Sequence, residues 1–119
     1  MAVGRRVARL DRGAIRKSFG ELVNMTPAEL EQWLEIDESR SVGWKGPDGK
    51  ASESVGHASG RRIAEILRKP VGALTDDDYR HMRKVIGFIR RHGAQRPANV
   101  YTSRWRYSLM NWGHDPTED

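Results

Sequence analysis

Residues 75–93 read TDDDYRHMRKVIGFIRRHG, and this stretch decides the fold class. Thr75 is a helix cap, Asp76, Asp77 and Asp78 suit the positive end of the helix dipole, and Asp78 stands at the capping-box position. Tyr79, Met82, Val85, Ile86 and Ile89 recur at helical spacing as a core stripe. Arg90, Arg91 and His92 occupy the last turn, and Gly93 reads as the terminator. The expectation is one long amphipathic helix with a strongly basic exposed side.

A wheel at about 100° per residue makes that side explicit. With Tyr79 at zero, the core residues lie between about 240° and 360°. Arg83, Arg90, Arg80, Arg91 and Lys84 lie between roughly 20° and 140°, with Gly87 among them. Like charges at these spacings repel, so a helix that keeps five of them with no acid beyond Asp78 is suited to an anionic partner. Glycine inside a helix costs ~1 kcal/mol relative to alanine. Gly87 fits either the close approach of a ligand backbone or the packing of another helix, with the arginines then reaching into solvent.

Working outward, the same punctuation recurs. Thr26-Pro27-Ala28-Glu29 combines a cap, a proline suited to the first helical position and a capping-box glutamate, ahead of Leu30, Trp33 and Leu34 as the buried stripe. Ile15, Phe19, Leu22 and Val23 predict a helix from about Asp11 to Val23. Arg5, Arg9, Arg12 and Arg16 would share a face if it extended upstream, but Gly4 and Gly13 favour a flexible basic arm over residues 1–10. Residues 37–53 hold Gly43, Gly46, Pro47 and Gly49 and read as a loop. A third helix starts near His57 or Ser59 and runs to about Lys69, with Ile63, Ile66 and Leu67 inward. Thr102 or Ser103 caps a fifth helix through Trp112, with Trp105 and Leu109 on its apolar face and Gly113 at its end. No run of four or more residues alternates as a strand should. The expectation is a single all-α domain over residues 11–116 with about five helices and a tail at 117–119.

The whole-chain arithmetic agrees. The 119 residues suffice for one core, burying roughly 65% of the surface that the unfolded chain exposes. There is no cysteine, which excludes disulfides, thiolate metal sites and cysteine nucleophiles. No apolar run approaches the ~18 residues of a membrane span, and arginines interrupt the first twenty residues where a signal peptide is apolar. The expected setting is the cytoplasm. Net charge is +5, distributed as +5 over residues 1–20, −5 over 21–53, +8 over 54–106 and −3 beyond. Such segregation places a basic surface beside an acidic one.

Motifs for catalysis or metal are lacking. His57, His81, His92 and His114 show no HExxH pairing and no i, i+4 pair. The Asp76–Asp78 run is explained by the helix start, and Gly46-Pro47-Asp48-Gly49-Lys50 lacks the spacing of a phosphate loop. Two further stretches are candidates for anion contact. Ser54-Val55-Gly56-His57-Ala58-Ser59-Gly60-Arg61-Arg62 places a hydroxyl and two guanidinium groups at a helix start, where Ser59, Arg61 and Arg62 can meet a phosphate. Gly60 keeps that turn free of an obstructing side chain, and a protonated His57 would add charge. Arg62 can alternatively pair with an acid. In Arg104-Trp105-Arg106-Tyr107, Trp105 belongs to the core, while Arg104 and Arg106 remain candidates for nucleic acid.

Asn24-Met25-Thr26, the stretch from Asp37 to Gly43, Glu53-Ser54-Val55-Gly56-His57, Ser59-Gly60-Arg61-Arg62-Ile63 and the stretch from Trp105 to Pro116 together resemble a bacterial domain-of-unknown-function family, number 3140. The resemblance spans about residues 16–116. Some members carry a DNA-binding label, so it implies DNA as the partner; it implies no catalytic residues. The functional expectation is a small basic DNA-binding protein that contacts backbone phosphates with low sequence specificity, associated with the nucleoid or regulatory. Its contacts would be Arg80, Arg83, Lys84, Arg90 and Arg91, with Ser59, Arg61, Arg62, Arg104 and Arg106. No cofactor, metal or membrane contact is expected. The alternative is an interaction or self-association module using the acidic and basic faces. A third reading is an enzyme acting on a phosphorylated small molecule at the Ser59–Arg62 helix start.

Overall fold

Thr26 and Thr75 both form reciprocal capping boxes, accepting from the backbone N–H of Glu29 and Asp78 while those side chains accept from the threonine N–H. In the computed structural model, which describes residues 11–118, they open two of six α-helices. These are α1 (Arg12–Leu22), α2 (Pro27–Leu34), α3 (Asp37–Arg40), α4 (Val55–Arg68), α5 (Asp76–Gly93) and α6 (Arg104–Asn111), with a 3-10 turn at Val71–Ala73. There is no strand among the described residues, so the all-α expectation holds. No helix among the described residues is long and apolar enough to cross a membrane. The basic arm expected over residues 1–10 lies outside the described residues.

The helices form two packed pairs, α1 on α5 and α2 on α4, and α6 touches α2, α4 and α5 as well as α3. Helix α6 therefore bridges the pairs, beside a direct contact between α4 and α5. Phe19, Trp33, Leu34, Ile63, Met82, Ile86, Ile89 and Leu109 are buried in one cluster with Leu30, Tyr79 and Trp112. Leu67 and Trp105, expected to be largely buried, are half-buried against it. Arg12 forms an ion pair with Asp76 and lies 4.8 Å from the centre of the Tyr79 ring, while Arg16 donates to Tyr79 Oη at 2.8 Å. These contacts seat α1 on the first turns of α5.

The segment after Trp112 closes the molecule. Gly113, with φ +83°, takes the left-handed conformation that ends α6, and its carbonyl accepts from Met25 N–H. His114 Nδ1 donates to the Leu22 carbonyl at 2.6 Å, and Asn24 exchanges hydrogen bonds of 2.8 and 2.9 Å with the Asp115 backbone. Deeper in, Asn111 is 1% exposed. Its Oδ1 accepts from Trp33 Nε1 at 2.7 Å and Ser39 Oγ at 2.6 Å, and its Nδ2 donates to the Ser39 carbonyl at 3.0 Å. The Asn-Trp-Gly-His-Asp segment is thus the tie between the C-terminal end of the fold and helices α1 to α3.

Three boundaries differ from expectation, each for a local reason. Segment 37–53 contains the one-turn helix α3, which sets Ser39 against Asn111. Helix α4 begins a turn earlier than His57–Ser59, because Ser54 is the residue whose hydroxyl accepts from the N–H three positions on, at His57. Gly93 is the last helical residue of α5, and the following Ala94 stays right-handed, so no glycine terminator operates there.

Candidate nucleic-acid interface and adjoining cavity

Helix α5 presents the expected cations in two groups. Arg80 is paired with Asp77 at 2.8 Å on the surface. Arg83, Lys84, Arg90 and Arg91 are exposed and form no ion pair among the described residues. Arg83 and Arg90 border a groove between α1 and α5, with Ser18 and Gly87 in its walls. Arg90 reaches Ser18 Oγ at a long 3.4 Å. A Cβ built on Gly87 would lie 3.0 Å from Arg91 Nη1, the far end of a flexible side chain. The Arg91 guanidinium therefore folds back over Gly87. Because it can swing away, replacing Gly87 by alanine should raise stability by about 0.5–1 kcal/mol, the helix-propensity gain. Thermal unfolding of the variant measures it, and a loss of stability would mean that another group needs the space.

The start of α4 does not have the geometry of an anion site at Ser59. Ser59 lies inside the helix, is buried, and hydrogen-bonds through Oγ to His81 Nε2 at 2.9 Å. Gly60 is occupied from the protein side: a Cβ there would lie 2.5 Å from the Asn111 carbonyl oxygen and 2.7 Å from Leu34 Cδ2. It serves close helix packing, not ligand approach. Arg61 is held by Glu53 through two hydrogen bonds of 2.8 and 2.6 Å. His57 donates through Nε2 to the Leu34 carbonyl at 2.7 Å and faces Glu53 through Nδ1. The Arg61 hydrogen bonds, outweighing partial burial and aided by His57, bring the Glu53 carboxyl down to about 2.

Arg62 takes the alternative named for it, pairing with Asp78 at 3.4 Å beside the shorter Lys69–Asp78 contact of 2.7 Å. Burial of Asp78 opposes its ionisation, but Lys69 and the Thr75 cap prevail and hold its carboxyl at about 2. Arg104 donates to the Ser41 carbonyl at 2.9 Å. Arg106 forms a two-pronged pair with Asp115 at 3.1 and 3.0 Å and also donates to the Tyr101 carbonyl. Of the ten candidate residues, Arg83, Lys84, Arg90 and Arg91 are exposed on α5 without acid partners among the described residues, Arg83 and Arg90 toward the α1 groove and Lys84 and Arg91 on its other flank. Five others are engaged in local ion pairs or carbonyl hydrogen bonds, and Ser59 is inside.

Ser59 and His81 have the spacing of a nucleophile and a base, but they sit in the α4–α5 contact. Burial first, then the charges of Arg62 and Lys84, push His81 down to about 4, so the ring is neutral near pH 7. The pair forms a part-buried polar contact between the two helices. The described residues contain no cluster of three or more metal-ligating side chains.

A cavity of about 380 Å³ opens between the loop before α4, the start of α4, the middle of α5 and the end of α6. Phe88 and Trp112 wall it, their rings stacked with centroids 4.3 Å apart. Trp44, 62% exposed, stands at its loop side. Gly56 has no room for a side chain, since a Cβ would lie 2.9 Å from Trp112 Nε1. Lys84 and Arg91 also line the cavity, as does His92. The His92 ring stacks on Phe88 at 5.0 Å, and its Nε2 is buried without a hydrogen-bond partner. Burial lowers the His92 pKa, which keeps the ring neutral.

Sequence reasoning did not identify this cavity. The one signal was Phe88, which lies near 180° on the wheel, outside the core arc and beside the basic one. A large apolar residue in that position needs either a packing neighbour or an occupant. The family model described as Protein of unknown function (DUF3140) matches residues 18–110. No curated protein and no solved structure matches the chain.

Proposed function

Since the chain belongs to the DUF3140 family of proteins of unknown function, we propose from its surface that it binds DNA through backbone phosphates, using α5 as the contact face. One observation carries the reading: Arg83, Lys84, Arg90 and Arg91 stand exposed on one helix with no acid partner among the described residues, on a chain whose other described arginines are largely engaged. Mutual repulsion makes such an array unfavourable alone, and polyphosphate relieves it. Contacts of this kind position a protein without reading bases, so binding is weakly specific and salt-sensitive. On this reading the protein works in the cytoplasm, associated with the nucleoid, and requires no cofactor.

A salt titration of binding to a random duplex tests the reading. Log K should fall linearly with log salt, with a slope near −0.9 per phosphate neutralised. The triple variant Arg83→Ala, Arg90→Ala, Arg91→Ala should flatten that slope by roughly 0.9 for each phosphate no longer neutralised and weaken all sequences about equally. These residues are exposed, so the fold should survive. Unchanged binding by the folded variant would move the site elsewhere. Absence of binding to any nucleic acid at low salt would favour the interaction-module alternative.

A further inference from the structure

We propose that the cavity between α4, α5 and α6 is a binding site for a small planar aromatic anion. Two separate features converge on that chemistry. The lining is aromatic: Phe88 and Trp112 stack on each other, and Trp44, 62% exposed, offers an open ring at the loop side. Such walls favour an apolar ring that can stack in an offset arrangement. The two cations that line the cavity, Lys84 and Arg91, have no acid partner among the described residues. A carboxylate, sulfonate or phosphate on the ring would supply one.

At about 380 Å³ the cavity belongs at the small end of ligand pockets, which span roughly 300–1,000 Å³. That size suits one or two fused rings. The proposal does not depend on DNA binding, because the occupant is a free small molecule; Lys84 and Arg91 are shared between the two surfaces.

The experiment is an amide and indole NMR titration of the full chain with 2-naphthoate, its neutral amide 2-naphthamide, and acetate. 2-Naphthoate should give saturable shifts centred on the Trp44 and Trp112 indole N–H groups and on residues 84–92. The amide should bind at least about tenfold more weakly, and acetate should leave the indoles unmoved. Lys84→Ala with Arg91→Ala should weaken naphthoate by at least about tenfold and leave the amide unchanged. Phe88→Ala, in a chain whose spectrum remains dispersed, should abolish binding of both. Equal affinity for naphthoate and its amide would overturn the anionic assignment. Shifts confined to the α1–α5 groove, or none at millimolar naphthoate, would overturn the site.

Discussion

Replacing Asn111 by leucine should destabilise the protein by about 3–5 kcal/mol, because leucine keeps the branched shape but removes all three buried hydrogen bonds. Trp33 Nε1 and Ser39 Oγ would lose their shared acceptor, and the Ser39 carbonyl would lose its donor. Each buried group left unpaired costs about 1–3 kcal/mol. A domain of this size has a total stability of about 5–15 kcal/mol, so the variant would lose a large part of it. Ser39→Ala should cost much less, since Asn111 Oδ1 would still accept from Trp33. Urea unfolding followed by tryptophan fluorescence measures both. A loss below about 1 kcal/mol for Asn111→Leu would show that water or another group satisfies the three partners.

Alanine at position 60 should destabilise by up to about 2 kcal/mol, against the usual preference of a helix interior for alanine over glycine. The added carbon would lie 2.5 Å from the Asn111 carbonyl oxygen and 2.7 Å from Leu34 Cδ2. Leu34 can adjust in part, but the carbonyl belongs to the α6 backbone, so α4 and α6 must separate. Overpacking of this kind costs about 1–3 kcal/mol, more than the ~1 kcal/mol of propensity gained. Glycine 87 supplies the contrast within the same protein, because there the neighbour is a mobile guanidinium. Opposite signs at the two positions are the expected result in thermal unfolding, and stabilisation by Gly60→Ala would mean that α4 and α6 are not in close contact.

The long helix and its neighbours were legible because their signals are local. Thr26 with Glu29 and Thr75 with Asp78 carry capping information within four residues, and the stripes from Tyr79 to Ile89 and from Leu30 to Leu34 need only a helical period. What was not legible depends on residues far apart in the chain. Ser54 and Ser59 look equally able to cap a helix, and only the packing of Gly56 against Trp112 and of Gly60 against Asn111 places both glycines inside α4. Arg61 reads as a free cation and Arg62 as free or paired with an unnamed acid, yet their acids stand at Glu53 and Asp78, at separations of 8 and 16 residues, beyond any helical pairing rule. Helix α3 is short and has no side-chain cap, so its one turn leaves no periodic trace. The cavity was legible only as Phe88 out of place, since Trp44, Trp112 and His92 meet it through the tertiary fold.

The tie at Asn111 also has a consequence for how the chain acquires its shape during synthesis. Its partner Ser39 lies 72 residues earlier, and the Asn24–Asp115 contact spans 91. At roughly 5–20 residues per second on the ribosome, 72 residues correspond to about 4–14 s. Throughout that interval the Trp33 indole and the Ser39 hydroxyl can only hydrogen-bond to water, because the residue they share has not been made. The α2–α4 pair, whose residues are all made by Arg68, cannot close this polar tie before α6 follows. Completion of the core is therefore timed by translation of the asparagine that both side chains wait for.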